Sequence, residues 1–328
     1  MQRIFLAGAG GLVGAAILRA LQAADKAFTV FAPTRADLDL TRQADVAAYF
    51  AATRPDTVII AAGRVGGIAA NLTQPACFIY DNMMIAANII HAAYGSGVGR
   101  LINLGSSCIY PRDAPQPLRE EMLLAGPLDA SNAPYAVAKI AAITLCAAYH
   151  RQYGADFRSL MPASLYGAGD NFHLTESHVI PALIRRLHSA RAQGESEVDI
   201  WGDGSALREF MHADDLAAAV LFTLGLDAES YWNATGPTLA HLNAGTGKEV
   251  SIRALARIIA DKVGYMGTLR FDEAQPSGVC RRVMDSSRLR SLGWAPRIEL
   301  AEGLEKTVDW FGKRANLADF RGAAPRAG

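Results

Sequence analysis

The sequence predicts an α/β fold, a doubly wound parallel sheet with a smaller, discontinuous C-terminal substrate domain. Two observations carry that expectation. Short β-branched or apolar runs alternate with longer helical patterns through the first half, as βα units feeding a parallel sheet do. After Pro162 the pattern gives way to loops rich in Gly, Asn and His before periodicity resumes. The length of 328 residues suits one large or two modest domains with a sizeable core.

In chain order, strands are expected over 3–7, 29–32, 57–61, 101–105 and 158–162, with helices beginning near Leu12, Thr41, Pro75 and Pro134. Pro134 stands at a helix start, where its missing N–H costs nothing. Further on, a helix over 178–190, a strand over 198–201, an apolar run over 216–226, a strand over 241–244 and a helix over 252–263 are expected. A nucleotide-binding domain of residues 1–163 continued by 214–263, and a substrate domain of 164–213 and 264–320, follow from this pattern. Residues 321–328 read as a solvated terminus. Asp214 and Asp215 read as an N-cap for the run that follows, and His212 and His241 as structural.

With 51% hydrophobic and 20% charged residues, the chain is not intrinsically disordered or low-complexity. Lys plus Arg equals Asp plus Glu, 32 against 32, so no whole-protein field attracts nucleic acid or an anionic membrane. An anionic ligand must be met by local basic residues. The cysteines Cys77, Cys108, Cys146 and Cys280 are scattered without zinc-site or redox spacing, so no metal is expected and reduced thiols in a cytoplasm are. The apolar stretch over 4–18 is interrupted by glycines at fixed offsets, unlike a secretory signal. No run approaches the roughly 20 apolar residues of a membrane-spanning helix.

Directly after the first strand, Gly8-Ala9-Gly10-Gly11-Leu12-Val13-Gly14 sets glycines at G-x-x-G-x-x-G and opens a helix. Such a loop lets backbone approach a pyrophosphate, and the helix start offers free N–H groups and the positive dipole end. Gly8, Gly11, Leu12, Val13 and Gly14 are therefore candidate cofactor contacts in a Rossmann-type domain. At the tip of the second strand, Phe31-Ala32-Pro33-Thr34-Arg35 carries no acid for ribose hydroxyls. Arg35 stands there instead, and a guanidinium pairs with a 2′-phosphate, so NADP(H) is favoured over NAD.

Tyr135 and Lys139 are spaced i, i+4 on one helix face, where a cation lowers the pKa of a phenol. The strand over 101–105 runs into Ser106-Ser107-Cys108 at the carboxyl edge of the sheet, where ligands sit. In an extended segment Ser106 and Cys108 would face one pocket and Ser107 would point elsewhere.

Ser106, Tyr135 and Lys139 together with the glycine loop resemble the extended short-chain dehydrogenase/reductases. The words Val65-Gly66-Gly67-Ile68, Asn82-Met83-Met84-Ile85, Gly105-Ser106-Ser107-Cys108-Ile109-Tyr110-Pro111, Ser177-His178-Val179-Ile180-Pro181 and Arg208-Glu209-Phe210 resemble the GDP-L-fucose synthase branch of that family, up to about Phe311. The resemblance implies epimerisation of GDP-4-keto-6-deoxy-D-mannose at C3 and C5, then reduction of C4 by NADPH. It implies Cys108 and His178 as the base and acid of epimerisation, and Tyr135 as the proton donor to the C4 oxygen. Ser106 would help stabilise an enolate, and Lys139 and His178 would also adjoin the cofactor. Arg186 and Arg208 match positions holding diphosphate and ribose, and Trp201 a nucleotide-pocket position. The resemblance further implies a homodimer built from the helices over 82–94 and 135–149. The alternatives are a related GDP-L-colitose synthase-like enzyme, which epimerises C5 alone and reduces C4, and a non-catalytic NADP-binding sensor or scaffold, which would need the glycine loop but not Ser106, Tyr135 and Lys139 together. Departures are Ala9 and Gly10 where the family has His and Arg, Ser164 where it commonly has Asn, and Ser277 where it commonly has Asp.

Overall fold

The computed structural model describes residues 2–24, 26–173, 177–236, 239–274 and 280–314. The first half builds β1 (Gln2–Ala7), α1 (Leu12–Gln22), β2 (Phe28–Phe31), α2 (Gln43–Thr53), β3 (Thr57–Ile60), α3 (Ile68–Thr73), α4 (Pro75–Gly95), β4 (Arg100–Leu104), α5 (Ala133–Tyr153) and β5 (Asp156–Pro162). There follow β6 (Ser164–Tyr166), α6 (Val179–Gln193), β7 (Glu197–Trp201), β8 (Leu207–His212), α7 (Ala213–Gly225), α8 (Ala228–Thr235) and β9 (His241–Ala244). The last described elements are β10 (Glu249–Ser251), α9 (Ile252–Val263), β11 (Thr268–Asp272), β12 (Arg281–Arg282), α10 (Ser287–Ser291) and α11 (Leu300–Arg314).

The main sheet runs β2-β1-β3-β4-β5-β9 with every pairing parallel. Strand order reverses between β1 and β3, the switch point at which such sheets open a ligand crevice. Burial on both faces explains the continuous apolar strands: Ile4 and Leu6 of β1 pack in one core, Phe5 and Ala7 in the other. The first core lies under α1 and α7, the second under α2, α4 and α5.

A third core gathers Ile180, Leu183 and Leu187 of α6 with Ile200, Leu255, Ile259, Leu304 and Phe311. It holds α9, which the sequence pattern had grouped with the nucleotide-binding domain; the apolar face of α9 packs on α6 and α11 instead. Around it, β8 pairs with β6, β10 and β12, and β7 pairs with β11. Another expectation fails locally. His212 rather than Asp214 caps α7, its Nδ1 accepting from the Asp214 N–H at 3.2 Å. Asp215 turns inward to accept from the Arg297 and Ile298 N–H groups, tying α7 to the approach of α11. No described helix is long and apolar enough to cross a membrane.

Candidate active site

A cleft of about 1410 Å³ opens at the carboxyl ends of β1, β3, β4 and β5 and continues to α6, β7 and β8. Its two ends have different chemistry.

The glycine loop forms one end. Gly8 has φ of +88°, and a Cβ there would lie 2.7 Å from the Ala62 N, so only glycine lets the β1–α1 turn press onto the chain leaving β3. Gly8, Gly11, Leu12 and Val13 line the cleft. Gly14 does not; it is buried, and a Cβ on it would come within 2.0 Å of the Gly8 carbonyl oxygen, so it permits close packing of helix on turn rather than contact with ligand. The first turn of α1 holds no acid and no side chain caps it, leaving its N–H groups for an anion. Arg35 is exposed on the wall beside Asp39. Gly10 faces open space, with nothing within 4 Å of a Cβ built on it. These residues fit a dinucleotide's pyrophosphate against α1 and a phosphorylated ribose beside Arg35.

The other end carries the reactive groups. Ser106 follows β4 in extended conformation, but residues Ser107–Ile109 then coil into one turn of 3₁₀ helix. The expectation of an extended Ser106-Ser107-Cys108 is therefore corrected: Ser106 and Ser107 line the cleft, and Cys108 is tucked behind them, 5% exposed. The turn closes because Ser106 Oγ accepts the Cys108 N–H at 3.4 Å, as Ser does when it competes with strand hydrogen bonding. The Ser106 hydroxyl also lies near enough to the Cys108 thiol and the Tyr135 phenol to favour their ionised forms.

Tyr135 and Lys139 come from the first turns of α5, with the Lys139 Nζ 5.7 Å from the Tyr135 ring centre. Lys139 donates to the Leu104 carbonyl at 3.1 Å, and burial draws its pKa down to about 8. The expected lowering of the phenol pKa is not what the geometry produces. Burial, then the neighbouring Cys108, push Tyr135 upward, so the phenol stays protonated as a donor. Burial likewise raises the Cys108 thiol, against the pull of Ser106, Arg282 and Lys139.

His178 stands immediately before α6 with its surface open to the cleft, and the protein walls crowded around its ring withdraw enough solvation to hold it below its ordinary pKa and so neutral at pH 7. Arg186, two turns along α6, lines the cleft and donates to the Asp199 carbonyl at 2.6 Å. Trp201 ends β7 with 62% of its surface exposed, and Arg208 lies half-buried on β8. All the proposed catalytic and substrate-binding side chains thus meet at one cleft, Cys108 just beneath its surface. Ser164 lines it as well, whereas Ser277 falls outside the described residues.

Sequence reading missed Arg282. It pairs in register with Arg208 on β12, and its charge acts on Arg208, Cys108 and Asp129. The Arg281-Arg282 doublet was the available signal, but a two-residue strand has no periodicity to reveal it. Asp170 and Ser177, on the loop before α6, were missed too. Among the described residues no group of three or more His, Cys, Asp or Glu is placed to hold a metal ion.

The pattern defining the NAD dependent epimerase/dehydratase family matches residues 4–233. The chain is 50% identical over 321 residues to a GDP-L-fucose synthase of Escherichia coli, covering 98% of this chain and 99% of that one. It is 37% identical over 310 residues to a GDP-L-colitose synthase of Yersinia pseudotuberculosis, covering 94% and 97%. Its fold matches a crystal structure of a GDP-D-glycero-L-gluco-heptose synthase from Campylobacter jejuni in the presence of NADPH, with a TM-score of 0.89, 34% identity, and 95% and 98% of the two chains covered.

Proposed function

The chain belongs to the NAD dependent epimerase/dehydratase family as an epimerase-reductase, and from that premise we propose that it epimerises GDP-4-keto-6-deoxy-D-mannose at C3 and C5 and reduces C4 with NADPH to give GDP-L-fucose. The observation that carries this reading is the gathering of Cys108, Ser106, Tyr135 and Lys139 at one end of a cleft whose other end fits a dinucleotide. A plain reductase has no use for the thiol; an enzyme that also moves protons on carbon does.

In the proposed mechanism, Arg186 and Arg208 neutralise the diphosphate of the sugar nucleotide, with the Arg282 charge beside Arg208 adding to the local positive field, and Trp201 stacks on its base. The C4 ketone lies against Ser106 and Tyr135. Their hydroxyls donate to its oxygen, which acidifies the C–H bonds at C3 and C5. Cys108 as thiolate takes a proton from one face, and His178, once it has taken a second proton from solvent, returns one from the other, inverting the carbon. The glycine loop, Arg35 and Lys139 hold NADPH, which supplies the hydride. Tyr135 gives its proton to the C4 oxygen in that step, and Lys139, charged below its pKa of about 8, stabilises the phenolate left behind.

The protein works as a homodimer in a cytoplasm on this reading. Tyr80, Met83 and Tyr94 of α4 and Val137 and Tyr153 of α5 form the exposed apolar material that supports the first point. The colitose-type alternative rests on the more distant of the two sequence relatives. Incubating the protein with NADPH and either GDP-4-keto-6-deoxy-D-mannose or its 3-deoxy analogue, with products identified by mass and NMR, separates the two. Turnover confined to the 3-deoxy sugar overturns the fucose assignment.

A further inference from the structure

Two polar side chains on the wall of the cleft have no role in the mechanism above, and each carries an oxygen with no hydrogen-bond partner among the described residues. Asp170 lines the cleft on the loop between β6 and α6. Its Oδ1 accepts the Asn171 N–H at 2.7 Å, while Oδ2 is shielded from solvent and has no hydrogen-bond partner among the described residues. Ser177, directly before His178, lines the same cleft with a buried, unpartnered Oγ. An orphaned buried carboxyl oxygen is costly, and enclosure shows in its pKa, pushed up to about 7. No basic side chain offers itself: the shift is caused by burial and opposed only by the Asn171 backbone. A ligand group here must therefore bring a hydrogen-bond donor and no negative charge, which excludes the phosphates. Sugar hydroxyls and the nicotinamide carboxamide both qualify.

We propose that Asp170 and Ser177 form a hydroxyl-binding pair for the hexose ring of the sugar nucleotide, with Asp170 accepting from a ring hydroxyl and Ser177 completing the contact. The hexose is favoured because Ser177 adjoins His178, which in the proposed function works on the hexose carbons; the inference rests on that reading. The pair fixes the rotation of the ring about its link to the diphosphate, so that C3 and C5 face Cys108 and His178. It is a specificity device for the sugar, distinct from the arginines that hold the diphosphate.

The test compares GDP with GDP-D-mannose, a stable stand-in carrying the ring hydroxyls, by calorimetry on the full chain and on D170N, D170A and S177A. The ratio of the two dissociation constants isolates the contribution of the sugar. In the wild type GDP-mannose binds more tightly than GDP. In D170N, which keeps the shape and the Asn171 contact, that advantage is expected to fall roughly tenfold or more, with GDP and NADPH affinities unchanged. S177A lowers it less. Loss of NADPH affinity in D170N would move Asp170 to the nicotinamide and overturn the proposal, and an unchanged ratio in both Asp170 variants overturns it as well. A wild type that gains nothing from the sugar defeats the functional reading itself, together with this inference.

Discussion

At the scale of single residues, the site depends on where burial places the protons. The Cys108 thiol is raised above its ordinary value, so below that value its thiolate fraction grows about tenfold per pH unit. Solvent deuterium uptake at C3 and C5 is therefore expected to climb with pH across the neutral range, and Cys108→Ser is expected to abolish it because a hydroxyl's pKa is far higher. A serine variant exchanging at the wild-type rate would return Cys108 to a packing role. Arg35 supports a second prediction. With Gly10 contributing no cation, the proposed preference for NADPH over NADH rests on one guanidinium, and Arg35→Ala is expected to lose about 1.5–3 kcal/mol of it, or one to two decades in kcat/KM with NADPH. Equal use of both cofactors by the wild type sinks the assignment. Arg35 and Cys108 stood out as candidates in the sequence because each breaks a local expectation, whereas His178 was a candidate only through the family resemblance. Asp170 and Arg282 were not, since their meaning lies in what surrounds them.

Among the elements, those with strong periodicity or glycine punctuation were legible nearly to the residue: β1, α1, α4, β9 and α9 fall where expected. The short strands β6, β8, β10 and β12 were not, because their order is set by pairing around β8 rather than by local pattern. Pairing also decided the surroundings of Tyr110, in the turn beyond Cys108. Its hydroxyl donates to Asn243 Oδ1 at 2.6 Å and so accepts at 3.0 Å from His241 Nε2–H, leaving His241 Nδ1 as a bare lone pair. Asn243 is fastened in turn by Glu120, Leu118 and Asp285. A second proton on His241 would have no acceptor, and burial depresses its pKa to about 4. The unfolded chain, with His near 6.5, binds the proton that the folded one refuses, so this stability is complete above pH 6.5 and drains away as pH falls toward 4. The difference of about 2.5 pH units corresponds to ~3 kcal/mol. His241→Gln is expected to flatten the loss of denaturant stability between pH 6.5 and 4; an unchanged slope contradicts the assignment of that proton.

For the whole molecule, two cores meet at a cleft, and the exposed faces of α4 and α5 are left with apolar side chains that a second copy would cover. Replacing both Met83 and Val137, each 42% exposed, by Glu is expected to shift the protein from dimer to monomer in sedimentation; a wild type already monomeric at micromolar concentration contradicts the homodimer. In the proposed mechanism the joined cleft also lets one ketone serve two reactions. Reduction requires the Tyr135 proton at the C4 oxygen, whereas enolisation needs only that the oxygen be stabilised, which Ser106 still does in part. Tyr135→Phe is the measurement that separates them, with mass gain in deuterated water and loss of NADPH absorbance followed in one reaction. Continued deuterium uptake at C3 and C5 is expected while NADPH consumption falls by roughly two to four decades. If a folded, substrate-binding Tyr135→Phe enzyme stops both, the division of labour is wrong and the tyrosine acts in enolisation as well.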